Sequence, residues 1–171
     1  DKEVASARLY VTARGVYDVY MNGKRVNEEY LNPGITQYNK THTYQTYDVT
    51  GLLQNGQNAI GAILGEGWWS GGLTFQGENW NYFGDRQSLL ARLYIRYKDG
   101  SCQDVVTSPS RWQCYDDGPM RYGSLFQGEV YDACRESNVE GWSLPSYDAG
   151  KWRDCVEIPL TGHVSHDGWG T

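Results

Sequence analysis

The sequence predicts an all-β protein built as an antiparallel β-sandwich. Apolar and polar residues alternate in several short segments, glycine-rich turns separate these segments at regular intervals, and no long amphipathic helical pattern is present. With 171 residues, the chain is long enough for one domain with a buried core and too short for two ordinary ones. We therefore expect a single sandwich whose strands are joined mainly by tight turns.

Two hairpin turns are the clearest local signals. Asn22-Gly23 follows the strand predicted at residues 16–21, and Asp99-Gly100 follows the strand predicted at residues 89–97. The almost wholly apolar segment at residues 59–64 predicts a buried central strand. Further strands are predicted at residues 7–13, 24–26, 44–49, 103–107, 111–115 and 129–133, the last closing the sandwich, with one helical turn at residues 50–53.

The loop at residues 65–86 is the strongest candidate for a functional site. Its six glycines and three tryptophans are not typical of a buried strand, because glycine offers little packing volume. The loop must therefore be held in place by its own aromatic rings. Aromatic faces beside carboxylates and amides suit a sugar, because rings stack on its C–H faces while polar atoms hold its hydroxyls. The predicted ligand-binding residues are Glu66, Trp68, Trp69, Asn79, Trp80, Asp85 and Arg86.

Two alternatives remain open within this loop. Trp68 and Trp80 could instead be core residues folded over one end of the sandwich. Asp85 and Arg86 are expected to form an ion pair that fixes the loop to the following strand, although a sugar-binding role for Arg86 stays possible.

Composition and charge exclude several other functions. The net charge is −6 and no basic run occurs, which argues against nucleic acid as a partner. No apolar stretch reaches the ~18 residues that a membrane span requires. The four cysteines are widely spaced and form no C-x-x-C pair, so their spacing predicts neither a zinc site nor a particular disulfide.

The last part of the chain differs in character from the rest. We expect residues 1–135 to form the sandwich and residues 136–171 to be a linker or the start of a following domain. Trp142 and Trp152 are expected to pack against a neighbouring element, and the chain is expected to be part of a longer protein.

Catalysis within this chain is not expected. The three histidines are dispersed and neither a G-x-S-x-G nor an H-E-x-x-H motif occurs. Glu66 with Asp85 or Asp117 would be the nominees for a glycosidase carboxylate pair, but acidic residues are common on the rim of any sandwich.

Seven segments in one continuous order resemble the N-terminal β-sandwich domain of bacterial α-L-rhamnosidases. They lie at residues 7–26 (A-R-L-Y-V-T-A-R-G-V-Y-D-V-Y-M-N-G-K-R-V), 31–38 (L-N-P-G-I-T-Q-Y), 44–53 (Y-Q-T-Y-D-V-T-G-L-L), 64–69 (L-G-E-G-W-W), 84–86 (G-D-R), 97–101 (Y-K-D-G-S) and 127–133 (Q-G-E-V-Y-D-A).

This resemblance implies a jelly-roll-like, galactose-binding-like sandwich. It also implies a non-catalytic accessory domain, because the family's catalytic carboxylates belong to a separate helical barrel of the parent chain. The first hypothesis is binding of rhamnose or a related glycan through the loop at residues 65–86. The second is an architectural domain that packs on the catalytic barrel without a ligand of its own. The family context implies an exported or surface location.

The resemblance further implies a calcium site, because some domains of this type are calcium-dependent rhamnose-binding modules. The implied ligands are Glu66, Asp116, Asp117 and the carbonyl of Pro119, since calcium prefers several oxygen ligands. Binding relatives are expected to carry Asp-Asn or Asn-like ligands where this sequence has Gly65-Glu66. The alternative is that residues 116–119 form an ordinary turn.

Overall fold

The computed structural model describes residues 2–75 and 79–159 of the chain. Eleven strands and two short 3-10 helices make up this described part. The strands are β1 Val4–Arg14, β2 Val16–Met21, β3 Lys24–Arg25, β4 Gln45–Asp48, β5 Ile60–Gly65, β6 Ser88–Tyr97, β7 Cys102–Val106, β8 Gln113–Cys114, β9 Met120–Ser124, β10 Gly128–Tyr131 and β11 Arg153–Asp154. The two 3-10 helices span Thr50–Leu52 and Ala133–Asn138.

Two antiparallel sheets form the sandwich. One has the strand order β4-β1-β6-β7 and the other has the order β3-β2-β5. The longest ladder joins β1 to β6, from Val4 opposite Tyr97 to Arg14 opposite Ser88. The expected all-β antiparallel sandwich is therefore confirmed, while its finer jelly-roll connectivity stays a prediction.

The core lies between these two sheets and follows the two-residue period of a strand. In β1 every second residue points inward, so Ala7, Leu9, Val11 and Ala13 are all at most 2% exposed. The inward residues of β2 and β6 meet them from the facing sheet and from the neighbouring strand. These are Tyr17, Val19, Met21, Ala91, Leu93 and Ile95.

The first hairpin forms where the sequence predicts it. Asn22 and Gly23 both have positive φ, at 51° and 80°, which is the backbone that a two-residue type I′ turn requires. Asn22 also fixes the start of β5, because its side-chain oxygen accepts the backbone N–H of Ala59 at 2.8 Å. The turn therefore sets the register of β2 against both of its neighbours.

The prediction that residues 59–64 form a central strand is wrong. Among the described strands β5 pairs only with β2, so it is an edge strand, and Ile63 is 48% exposed. Its apolar character has another cause. Ile60, Ala62 and Leu64 pack toward the core, while on the opposite face of β5 Trp142 covers Gly61 and leaves Ile63 exposed.

The region after residue 107 departs from the predicted strand pattern. The strand expected to close the sandwich, at residues 129–133, is β10 at Gly128–Tyr131, and it pairs with β9, which the sequence did not predict. Within the described residues β9 and β10 form a separate two-stranded ribbon, as do β8 and β11.

Residues 136–159 contact the preceding part of the chain near β2, at β8 and at Arg14, whose Nη1 donates to the Pro159 carbonyl at 3.1 Å. Trp142 packs edge-on against Tyr20 at 5.3 Å between ring centroids, and β11 pairs with β8. The predicted boundary at residue 135 stays a prediction, but the two tryptophans expected to pack against a neighbour do so. Trp152 stacks on Tyr115 at 5.6 Å.

Adding a methyl group at Gly61 should test the contact with Trp142. A Cβ there would lie 2.5 Å from the indole, and the rigid ring cannot fold away as a flexible side chain would. We expect Gly61→Ala to lower the free energy of unfolding by roughly 1–3 kcal/mol, measured by urea denaturation. Gly51→Ala is the control, because a Cβ there meets nothing within 4 Å. Equal effects of the two substitutions would contradict the packing described.

Candidate functional site

The loop that follows β5 begins with a tight turn around Glu66. The backbone N–H groups of Trp69 and Ser70 both donate to the Glu66 carbonyl, at 3.1 and 3.4 Å. Gly67 has a φ of +57°, and a Cβ at this position would lie 2.6 Å from the Val16 side chain. Glycine is needed here because the chain turns back directly over β2.

A short backbone ladder closes the loop on itself. The N–H of Leu73 donates to the Asn79 carbonyl at 3.0 Å, and the N–H of Asn81 donates to the Gly71 carbonyl at 2.9 Å. The Asn81 side chain adds a third link by accepting the Gly71 N–H at 2.8 Å. These bonds fix the backbone on both sides of residues 76–78, which lie outside the described part.

Trp69 is the anchor of the loop. Its ring is 5% exposed, and its Nε1–H donates to the Arg86 carbonyl at 3.0 Å. Tyr38 packs edge-on against it at 5.5 Å, and the Arg14 guanidinium lies 5.0 Å from its centroid. Because the side chain is buried and its N–H is already bonded, we do not retain Trp69 as a residue that contacts a ligand.

Asp85 and Arg86 form the expected ion pair, but the pair does not fasten the loop. Arg86 Nε lies 3.8 Å from Asp85 Oδ1 and both side chains are largely exposed, so the pair contributes little. The loop is joined to the start of β6 by the Trp69–Arg86 bond and by Gln87, whose Nε2 donates to Ser70 Oγ at 2.6 Å.

Three aromatic side chains form an exposed surface, which we call the aromatic rim: Phe75, Trp80 and Phe126. Phe75 is 81% exposed and Trp80 is 54% exposed. Phe75 packs edge-on against Phe126 at 5.5 Å. The Trp80 ring lies against Gly72, where a Cβ would come within 3.2 Å both of that ring and of Gln127 Nε2. The loop and the turn between β9 and β10 therefore share one surface.

The other predicted ligand residues differ from these rings in exposure. Trp68 is half-buried, so it is neither a full core residue nor an open platform. Asn79 is also half-buried, and its side chain makes no hydrogen bond within the described residues, which leaves its amide available. The open alternative that Trp80 is a core residue is excluded by its exposure.

Glu66 lies beneath the loop. Its Oε2 is buried and has no hydrogen-bond partner within residues 2–75 and 79–159. A Cβ on Gly71 would lie 2.1 Å from this atom, so the carboxylate rests directly against the loop backbone. Burial raises the pKa of the Glu66 carboxyl above its ordinary value.

The buried carboxylate predicts a specific dependence of stability on pH. Because its pKa is raised in the folded state, folding binds a proton between the ordinary pKa and the raised one. Stability is therefore lost as pH rises through that window, and the cost is fully present above the raised pKa. Glu66→Gln should raise the unfolding free energy at pH 7 by about 1 kcal/mol and have less effect near pH 4.

Chemical denaturation at both pH values measures this difference. Glu129→Gln, at an exposed position on β10, is the matched control and should show a smaller difference. A Glu66→Gln protein that is less stable than the wild type at pH 7 would contradict the burial of an unpaired carboxylate.

The calcium site stays a prediction, and within the described residues three of its four expected ligands have other partners. Asp117 Oδ1 is bound by Arg121 at 3.0 Å and by Arg135, which lowers the pKa of this carboxyl. Asp116 pairs with Arg153. The Pro119 carbonyl accepts the Asp132 N–H at 2.8 Å. Within the described part of the chain no three His, Cys, Asp or Glu side chains are grouped as metal ligands.

The structure also brings in residues that the sequence reasoning missed. Tyr38 and Phe83 complete the packing around Trp69, with their rings 4.9 Å apart. Phe126 completes the aromatic rim from the turn between β9 and β10. Local spacing could not indicate Tyr38 or Phe126, because their contacts join segments that are far apart in sequence, whereas Phe83 lies in the loop itself.

The fold and the loop together define an all-β sandwich domain that displays aromatic side chains at its edge. The family model of the α-L-rhamnosidase N-terminal domain matches residues 2–167. The chain therefore belongs to this family, which confirms the resemblance drawn from the sequence.

Individual relatives agree with this assignment. The chain is 43% identical over 157 residues to an α-L-rhamnosidase of Alteromonas sp. (strain LOR), covering 91% of this chain and 16% of the relative. A crystal structure of Streptomyces avermitilis α-L-rhamnosidase complexed with L-rhamnose superposes with a TM-score of 0.83 at 39% identity, over 90% of this chain and 14% of that chain. A native α-L-rhamnosidase from Aspergillus terreus gives a TM-score of 0.84 at 37% identity, over 93% and 18%.

The match covers a small part of each relative. This chain spans only 14% to 17% of the length of the curated relatives. Within its described residues, no helix is both long enough and apolar enough to cross a membrane.

Proposed function

We propose that this chain is a non-catalytic accessory domain of an α-L-rhamnosidase-like glycoside hydrolase, and that its aromatic rim binds rhamnose or a related glycan. Family membership supports the accessory role. The rhamnose complex of the Streptomyces avermitilis relative supports the choice of sugar, although the complex concerns that whole enzyme. The remaining catalytic part of the same parent protein is the proposed partner, and an exported location follows from action on external glycans.

The exposure of Trp80 on a fixed backbone is the observation that carries this proposal. An indole that is 54% exposed is costly to leave in water, and it offers a flat apolar face to a sugar ring. Its backbone is held by the bonds from Leu73 to Asn79 and from Asn81 to Gly71. A platform that is rigid before binding loses little conformational entropy when the ligand arrives.

Polar groups beside the rim supply the hydrogen bonds that a sugar needs. Asn79 precedes Trp80 directly, and Gln127 Nε2 lies beside Gly72 on the same side as the Trp80 ring. The exposed side chains of Asp85 and Arg86 remain available as further contacts. Glu66 and Trp69 lie under the loop, so we assign them the role of holding its shape. No metal ion is used in this proposal.

Replacing Trp80 should abolish most of the binding. We expect the wild-type chain to bind L-rhamnose weakly, with a Kd of about a millimolar, because a single small sugar buries little area. Trp80→Ala should weaken binding by roughly tenfold or more through loss of the stacking face. Isothermal titration calorimetry and NMR chemical-shift changes measure the affinity of each protein for L-rhamnose, once with calcium and once with a chelator.

Tyr44→Ala is the matched control, because Tyr44 is an exposed ring on a different part of the chain. It should leave the affinity unchanged. Wild-type affinity in Trp80→Ala would contradict the proposed site, and binding that disappears with the chelator would contradict the metal-free account.

The architectural role is favoured by one separate observation. The ribbon of β9 and β10 exposes four large apolar side chains: Met120, Leu125, Val130 and Tyr131. A two-stranded ribbon alone is marginally stable in water, so cover by another part of the parent protein would stabilise it. A chain that binds no sugar, and whose ribbon amides exchange faster here than in the full parent protein, would support this role instead.

A further inference from the structure

The ribbon of β8 and β11 brings together two cysteines that are far apart in sequence. Cys114 lies opposite Arg153, and Gln113 lies opposite Asp154. The antiparallel pairing continues one step further, because the N–H of Cys155 donates to the Trp112 carbonyl at 3.1 Å. Cys155 is therefore two residues beyond the direct partner of Cys114, and the two side chains share one face of the ribbon.

The two thiols interact in this arrangement. The pKa of the Cys155 thiol is raised to about 11, first by burial and then by the neighbouring Cys114 thiol, through charge and a side-chain hydrogen bond. The Cys114 sulfur also lies 4.0 Å from the Asp154 carbonyl. Diagonal neighbours across a ladder are typically ~7–8 Å apart at Cα, slightly beyond the usual reach of a disulfide. A small shift of either two-residue strand would bring the two cysteines within disulfide distance.

We propose that Cys114 and Cys155 form a disulfide that fastens β11 to β8 under oxidising conditions. Both cysteines are free thiols in this structure, as are Cys102 and Cys134. Neither of the other two competes for the same position. Cys102 begins β7 and its sulfur accepts the Tyr94 hydroxyl at 3.0 Å, and Cys134 lies in the 3-10 helix at Ala133–Asn138.

The bond forms by exchange with a small disulfide such as oxidised glutathione. The exposed Cys114 loses its proton and attacks one glutathione sulfur, which forms a mixed disulfide and releases one glutathione thiolate. Cys155 then loses its proton and attacks the Cys114 sulfur, which releases the second glutathione. The protein loses two hydrogen atoms, and the oxidised glutathione gains them as two thiols. Because the pKa of Cys155 is raised, this second step accelerates with increasing pH.

The bond would reinforce contacts that already hold this part of the chain in place. Trp152 stacks on Tyr115 and Arg153 pairs with Asp116, yet the ladder itself is only two residues long on each strand. A disulfide here closes a loop of about 40 residues, which restricts the unfolded chain considerably. The closed loop contains the ribbon of β9 and β10. The two ends of this loop would therefore stay joined even if the ladder of β8 and β11 opened.

Incubation of the chain with glutathione mixtures, followed by non-reducing peptide mapping, tests the proposal. We expect a single major crosslinked species joining the peptides of Cys114 and Cys155, reversed by dithiothreitol. The melting temperature of the oxidised protein should exceed that of the reduced protein by about 5 °C or more. The Cys155→Ser variant should retain glutathione on Cys114, because the second thiol is missing.

Cys134→Ser is the matched control and should form the crosslink and show the same thermal shift as the wild type. Two results would overturn the proposal. One is a wild-type protein that keeps glutathione on Cys114 without resolving it. The other is crosslinking that is distributed equally among pairs involving Cys102 and Cys134.

Discussion

The long ladder between β1 and β6 is the constraint on which the rest of the molecule depends. β1 also pairs with β4, so one strand carries two neighbours and supplies Ala7, Leu9, Val11 and Ala13 to the core. A shift of one residue in this register would turn every one of these side chains toward solvent. The facing sheet of β3, β2 and β5 packs on this surface, and the candidate loop leaves β5 and returns at β6.

Buried contacts hold the loop at residues 65–86 in its shape. Other aromatic rings of the loop can therefore remain exposed. Trp69 occupies the space between Tyr38, Phe83 and Arg14, and its N–H satisfies the carbonyl that precedes β6. Gly84 is required at that point, because a Cβ there would lie 2.4 Å from the indole. The buried contacts of Trp69 thus offset the conformational entropy that is lost when the loop becomes ordered, while Trp80 stays exposed.

The sequence was sufficient for features that local chemistry decides. The positions of β1, β2, β4 and β6 followed from alternation, and the first hairpin followed from the positive φ that Asn22-Gly23 accepts. The errors came from long-range contacts. The apolar run of β5 indicated a central strand because the pattern could not reveal that Trp142, about 80 residues further along the chain, packs against Gly61 on its outer face.

For the candidate site, too, the sequence indicated local features but not long-range contacts. Composition identified the loop, but it could not separate Trp69 from Trp80, because both are tryptophans beside glycines and only tertiary packing buries one of them. The charges at residues 116 and 117 illustrate a further limit. Their carboxylates match the chemistry of a calcium ligand, yet Arg121, Arg135 and Arg153 approach from elsewhere in the chain. The sequence could not show these arginine partners, because the fold brings them to the carboxylates from other segments of the chain.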